Sequence, residues 1–177
     1  MMVKSAELPP ELLDPTYQNR LRVIGRRLDL GGYRSLNLVE IAGGFLARAM
    51  RPGERAPQAL EFPHADFPRL IGAAFAERGR GQRLGNRHEL VPTGYEDFLR
   101  ALGHRLDEQH AEAIAITELG NFIAVNGVAP VETYHQTAMA PFQSLLRPDD
   151  IATLLNEAFQ RRAPEPQSLR ARIFSRA

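Results

Sequence analysis

Cysteine and tryptophan are absent from this sequence of 177 residues, and lysine occurs once, at Lys4. Without cysteine the chain cannot form disulfides, use a thiolate nucleophile or bind a metal through sulfur. Nowhere do eighteen apolar residues run together, so the sequence predicts no transmembrane helix. The opening residues also lack the apolar stretch of a secretory signal peptide. We therefore expect a cytoplasmic protein that makes no membrane contact.

Charge of one sign does not dominate the chain, whose formal net charge is +1. Residues 1–90 carry 14 basic and 10 acidic groups, whereas residues 91–177 carry 8 and 11. Of the 22 basic residues, 21 are arginine, whose planar guanidinium suits phosphate and carboxylate groups. These arginines are scattered, which favours a compositional bias of the genome over a dedicated polyanion site. A length of 177 residues predicts one domain or two small ones.

A nine-residue segment that occurs twice is the strongest pattern in the sequence. "LRVIGRRLD" at 21–29 and "LRALGHRLD" at 99–107 share six of nine letters, 78 residues apart. Both predict an amphipathic helix, because the apolar positions follow helical spacing. We expect one helix to start at Asp14-Pro15 and the other at a capping box running from Thr93 to Glu96. The matched helical positions are Tyr17, Leu21, Ile24, Gly25 and Leu28 with Tyr95, Leu99, Leu102, Gly103 and Leu106.

Strand-like runs follow each helix. "RSLNLVE" and "FLARAM" flank a glycine turn in the first half, and "EAIAITE" and "FIAVNG" do so in the second, which predicts two hairpins. A short third strand is expected in "RPGERAPQALEF", and a longer one, containing His135, in "VETYHQTAM". A closing helix then repeats at an offset of 84 residues. It begins after Asp66 in the first half, where it is expected to end at Gly79, and after Asp150 in the second.

The sequence therefore predicts an α+β protein built by internal duplication of a helix–three-strand–helix unit, with antiparallel sheets in a pseudo-twofold arrangement. One compact domain is expected over 1–177. It contains unit 1 at 15–79, an Arg/Gly linker at 80–92, unit 2 at 93–162 and a C-terminal tail at 163–177.

The repeated residues have competing interpretations. A glycine inside a helix costs about 1 kcal/mol relative to alanine, so Gly25 and Gly103 predict a close approach, either between the two first helices or between each helix and its sheet. Arg22 and Asp29 recur as Arg100 and Asp107, and we favour a solvated charge stripe over a polar seam at an interface. Glu40 and Glu118 each precede a turn, where a charged residue is ordinary. A pair of acids with separated pKa values would be the catalytic alternative.

Familiar catalytic and metal-binding patterns are not found. The chain has no P-loop, no G-x-S-x-G elbow and no lysine inside either unit to complete a nuclease core. His104 and Glu108 are four residues apart, with His110 beyond, but further ligands at fixed spacing are lacking. We expect no cofactor and no metal.

Arginines provide the best positive signal for binding. Four of them, Arg78, Arg80, Arg83 and Arg87, alternate with glycines in the linker and could grip phosphates, and a second basic set lies near the C-terminus, from Arg161 to Arg176. No aromatic side chain lies between the linker arginines to stack on bases. A solvated linker is the simpler interpretation.

The leading hypothesis is a non-enzymatic interaction protein that binds a protein partner or self-associates, through a sheet face, an edge strand or the tail. Nucleic-acid binding through the arginines is the alternative, and a hydrolase using Glu40 and Glu118 is the third. Two architectures are similar in outline: small bacterial secretion chaperones, which bind proteins, and the TATA-binding saddle, which binds DNA through its sheet. Neither offers motif residues that this sequence matches.

Overall fold

Two stretches of the chain, residues 15–77 and 88–162, are described by a computed structural model. They contain four α-helices, six β-strands and a 3-10 turn at His64–Asp66. The prediction of an α+β protein with antiparallel strands is confirmed. In chain order the elements are α1 (Tyr17–Gly31), β1 (Ser35–Ile41), β2 (Gly44–Met50), β3 (Gln58–Pro63), α2 (Phe67–Ala76), α3 (Tyr95–Glu108), β4 (Glu112–Leu119), β5 (Phe122–Thr133), β6 (Gln136–Leu146) and α4 (Pro148–Arg162).

All six strands belong to one antiparallel sheet in the order β3-β2-β1-β4-β5-β6. The sequence led us to expect more than one sheet, and that expectation is wrong. β1 and β4 pair directly, with Leu38 opposite Ile116. The β1 edge of the group β1–β3 is thereby joined to the β4 edge of the group β4–β6, and neither edge is exposed. An unpaired edge presents a row of backbone donors and acceptors, and this pairing satisfies two such rows at once.

The four helices cover one face of the sheet. Alternate strand residues such as Leu38, Phe45, Ile116 and Val125 are almost fully buried against the helices in one continuous core. The residues between them, including Val39, point to the other face and are more exposed. The period of two along each strand therefore divides the sheet into a covered face and an uncovered face.

The predicted starts of three helices need correction. Helix α4 begins at Pro148, so Asp150 lies in its first turn and does not precede it. The N-cap of α1 is Thr16, whose hydroxyl accepts a hydrogen bond from Asn19 N, while Asp14 lies outside the described residues. The N-cap of α3 is Gly94, with φ of 91°, and no side chain of the predicted capping box bonds there. A capping box requires Thr93 as the N-cap, but the chain enters the helix one residue later.

The second half of the sheet differs from the predicted strand pattern. β5 continues as far as Thr133, and β6 begins at Gln136, so His135 lies in the turn between them and not in a strand. These two strands extend well past β4, which has its last pair with β5 at Glu112 and Val128. The helix predicted to end at Gly79 ends instead at Ala76; Gly79 itself is outside the described residues.

No helix within residues 15–77 and 88–162 is long and apolar enough to cross a bilayer.

Helices α1 and α3 pack against each other at Gly25 and Gly103, as one of the two alternatives for these glycines predicted. A Cβ atom on Gly25 would lie 2.5 Å from the Tyr95 carbonyl oxygen, and one on Gly103 would lie 2.6 Å from the Tyr17 carbonyl oxygen. Each glycine thus accepts the first turn of the opposite helix. Since the obstructing atoms are backbone, a side chain could be accommodated only by moving the helices apart.

Replacing either glycine with alanine should therefore destabilise the protein. We expect Gly25→Ala and Gly103→Ala each to lower the free energy of unfolding by about 1–3 kcal/mol, the usual range for overpacking, despite alanine's better helix propensity. Urea titration followed by circular dichroism measures this. Gly43→Ala is the matched control, because a Cβ there meets nothing within 4 Å. Equal stability of all three variants would contradict the close-packing explanation.

Candidate interaction surface

Asp29 and Asp107 cap the opposite helices. Tyr95 N and Glu96 N donate to the two carboxylate oxygens of Asp29, at 2.8 and 3.0 Å. Tyr17 N and Gln18 N donate to those of Asp107, both at 2.9 Å. These are backbone donors of a helix's first turn, which has no intrahelical partners for them. Burial raises the pKa of Asp29, although its two backbone hydrogen bonds act in the opposite direction.

The expectation of a solvated charge stripe is wrong for three of its four residues. Besides the two capping aspartates, Arg22 is buried, with its Nε 3.2 Å from Glu96 Oε1 and its guanidinium over the ring of Phe75. Arg100, at the matched position, is half-buried. The helices turn these flanks toward each other, so the alternative of a polar seam describes the arrangement.

Glu40 and Glu118 each accept a hydrogen bond from a buried tyrosine. Tyr17 Oη donates to Glu40 and Tyr95 Oη donates to Glu118, both at 2.6 Å. Burial, followed by the glutamate partner, raises the pKa of both phenols, so each keeps its proton at neutral pH. Both glutamates lie two residues beyond the central Leu38–Ile116 pair, in opposite directions, which separates them by about 13 Å along the strands. They do not form a carboxylate pair.

A basic side chain accompanies each of these glutamates. Arg20 Nη1 lies 4.0 Å from Glu40, whereas His88 Nε2 lies 2.7 Å from Glu118. The carboxylate raises the pKa of His88, but Nδ1 accepts from Leu90 N and Val91 N, which favours the neutral ring with its proton on Nε2. With its ring held on both nitrogens, His88 is a structural anchor of the segment that leads into α3.

Other sequence-predicted residues give no assembled site. His104 Nε2 bonds to Glu108 at 3.1 Å, and no group of three or more potential metal ligands occurs within residues 15–77 and 88–162. The linker arginines, Arg78, Arg80, Arg83 and Arg87, lie outside the described part of the chain, as do those beyond Arg162. Arg161, which is described, pairs with Glu108 and Glu157.

The uncovered side of the sheet is a surface that no element of the described chain occupies. We define the open face by two rows of paired residues that cross all six strands. From β3 to β6, one row is Ala59, Arg48, Asn37, Thr117, Ala124 and Leu145, and the other is Glu61, Leu46, Val39, Ala115, Asn126 and Gln143. Among these twelve positions there is one cation and one anion. Ile41 and Leu119 extend the face at the ends of their strands.

Large apolar side chains of the open face are in contact with water. Val39 is 39% exposed, Ile41 46%, Leu119 48% and Leu145 55%. They come from three different strands of the sheet, yet all project to the same side because of the strand alternation. Exposed apolar side chains gathered on one face of a sheet favour contact with a partner.

The ends of β5 and β6 form a hairpin that overhangs the sheet. We call residues 129–140 the arm; it lies beyond the last β4–β5 pair and has ladder contacts only within itself. Glu132 is its single charged residue, and Tyr134 at its tip is 97% exposed. A two-stranded hairpin without further support is marginally stable in water, so the arm is a second candidate for contact with a partner.

Sequence reasoning did not select the residues of the open face. Alternation in "RSLNLVEI" separates Leu36 and Leu38 from Asn37, Val39 and Ile41, which is a usable signal. Because both sets contain apolar residues, that signal does not tell which set the helices bury. This chain matches no family model, no curated protein and no solved structure with which it was compared.

Removal of a capping carboxylate should lower stability. We expect Asp29→Ala and Asp107→Ala each to reduce the free energy of unfolding by about 1–2 kcal/mol, because two first-turn N–H groups lose their acceptor. Asp66→Ala is the control, since Asp66 begins α2 without a side-chain cap bond. It should lose only a charge–dipole contribution of about 0.3–1 kcal/mol. Equal losses in all three variants, measured by urea unfolding, would rule out the capping role.

Alkaline pH should destabilise the protein through Tyr17 and Tyr95. Their pKa values are raised on folding, so the stabilisation is complete below the unfolded pKa of about 10 and declines as the pH rises above it. We expect the free energy of unfolding to fall between pH 9 and 11. Tyr95→Phe should be less stable at pH 8 but show a shallower decline. Tyr134→Phe, at an exposed position, should retain the wild-type decline. Identical slopes in all proteins would refute this assignment.

Proposed function

We propose that this chain is a non-enzymatic cytoplasmic protein that binds another polypeptide through the open face of its sheet. The observation that supports this most is that the face exposes large apolar side chains from three strands and has one cation and one anion among its twelve paired positions. Covering exposed apolar surface stabilises a complex by roughly 25 cal/mol per Å². The partner is therefore expected to present an apolar surface with few charges.

Charge distribution favours a polypeptide over a nucleic acid as the occupant of the open face. A surface that binds a phosphate backbone depends on several cations, and the two rows of the face contain only Arg48. Several arginines elsewhere in the described chain already neutralise carboxylates: Arg22 and Arg26 pair with Glu96, and Arg105 pairs with Glu157. No feature of the described residues favours the nucleic-acid hypothesis.

We also propose that the chain is an internal duplication, with unit 1 at 15–79 and unit 2 at 93–162 related by a pseudo-twofold axis near the Leu38–Ile116 pair. Contacts that occur twice support this: Tyr17–Glu40 has its counterpart in Tyr95–Glu118, 78 positions along. The reciprocal caps from Asp29 and Asp107 give the same support. On this proposal the open face spans both units, and the arm is an extension of unit 2 alone.

Site-specific photo-crosslinking tests the proposed function. A photo-reactive amino acid placed at Leu119, on the open face, should form an adduct with a polypeptide in cells that express the full chain. The same amino acid at Leu30 provides the control, because Leu30 is similarly exposed (54% against 48%) but lies on α1 at the helical side. Adding Val39→Lys to the Leu119 variant should abolish the adduct.

The proposal fails if Leu119 gives no polypeptide adduct, or if Leu30 crosslinks as efficiently. It also fails if Val39→Lys, in a protein with unchanged circular dichroism, leaves the Leu119 adduct intact. An adduct with nucleic acid in place of polypeptide would revive the alternative function.

A further inference from the structure

We infer that the polypeptide on the open face is a second copy of this chain, packed sheet against sheet. This inference rests on the proposed function and specifies its partner. Antiparallel sheets commonly pack face to face about 10 Å apart, with their strands within about 30° of each other. The open face has the composition such packing needs, since half or more of its positions are apolar and its charges are few.

Charge allows the face to meet a copy of itself. In a twofold dimer the same patch is contributed by both subunits, so any excess of one sign would repel itself. The two rows contain Arg48 on β2 and Glu61 on β3, which gives the face no net charge. The two rows of one copy can therefore meet those of another without an excess of one charge, while Glu132, two positions from Pro130, adds an acidic group on the open side of the arm. A polyanion or a strongly charged peptide would gain little from this face.

Area is consistent with a stable dimer. Six strands about 4.8 Å apart and about six residues long give a face of roughly 29 by 20 Å, or about 600 Å² in projection. The arm adds roughly 150 Å² on the same scale. Together they approach the roughly 800 Å² that each partner contributes to a standard protein interface.

Proline restricts the alternative of edge-to-edge association. Edge strand β6 contains Pro141 and edge strand β3 ends with Pro63, while the part of β5 that overhangs β4 contains Pro130. Each proline lacks the N–H that an added strand would need, and proline is a common protection of exposed edges. Growth of the sheet by lateral strand pairing is thereby opposed, which leaves the face as the surface for self-association.

In such a dimer the open side of the arm contacts the second copy. Met139 lies on the open side, opposite Pro130, and is 47% exposed. Because the arm projects beyond its own sheet by about five residues per strand, or roughly 16 Å, its open side can contact the second copy past the margin of the face. The second copy would then supply the support that the isolated hairpin lacks.

The molar mass of the purified full chain tests this inference. Light scattering after size exclusion, over a range of protein concentrations, should give twice the monomer mass of 19.8 kDa. Val39→Lys and Leu119→Lys should each weaken association at least tenfold and shift the mass toward the monomer. Met139→Lys should weaken association as well, but by less. Leu30→Lys, on the helical side, should remain dimeric.

Circular dichroism and urea unfolding establish whether each variant is folded. Should a lysine variant unfold, Val39→Ser and Leu119→Ser remove apolar area without adding charge and are expected to weaken association in the same direction. A monomer mass at all concentrations overturns the second-copy inference, as does dissociation by Leu30→Lys but not by the open-face variants. In that case, a Leu119 adduct whose mass differs from a dimer would leave the proposed function standing with another polypeptide as partner.

Discussion

The contact between α1 and α3 is the constraint on which the other contacts of the described chain depend. Two glycines remove the side chains that would hold the helices apart, and two aspartates then reach the first turn of the opposite helix. Close approach and capping require each other: without Gly25 and Gly103 the carboxylates could not reach the backbone N–H groups. The same approach brings Tyr17 and Tyr95 over the sheet, where they fix Glu40 and Glu118 on the two central strands.

Periodicity predicted much of this core, because periodicity is a local property. Leu21, Ile24 and Leu28 were assigned to a buried helical face from their spacing, and all three are fully buried. The helix caps were missed because the partners of Asp29 are 66 and 67 residues distant in sequence. Within its own helix Asp29 has the pattern of a solvated charge, and only the tertiary contact distinguishes a solvated carboxylate from a buried cap. Thr93 shows the reverse error. Its capping-box pattern with Glu96 predicted a local cap, but Asp29 accepts from the first N–H groups of α3 instead.

The open face shows a second limit of local reasoning. Alternation predicted the strands, but both alternating sets in β1 and β5 contain apolar residues, so the sequence alone does not tell which set the helices cover. His135 was assigned to a strand because "VETYHQTAM" alternates without a glycine or an Asn-Gly pair to mark the turn. The turn consists of Tyr134 and His135, neither of which is a typical turn residue. It is closed by the Thr133 hydroxyl, which donates a hydrogen bond to the Gln136 carbonyl oxygen. The pairing of β1 with β4 depends on two strands far apart in the chain, and nothing in either strand specified it.

The reciprocal caps from Asp29 and Asp107 have a consequence for folding cooperativity. Thr16 caps Asn19 N locally, but the N–H groups of Tyr17 and Gln18 reach their carboxylate only when α3 has docked. The first two N–H groups of α3 likewise depend on α1. A partly folded state with one helix in place would leave two backbone N–H groups of that helix, and a carboxylate, without their native partners. Such a state lacks these contacts of the native state, so the two helices should gain and lose protection against amide hydrogen exchange together. The contacts involved span 66 to 90 residues, and closing loops of that length adds an entropic cost to forming them.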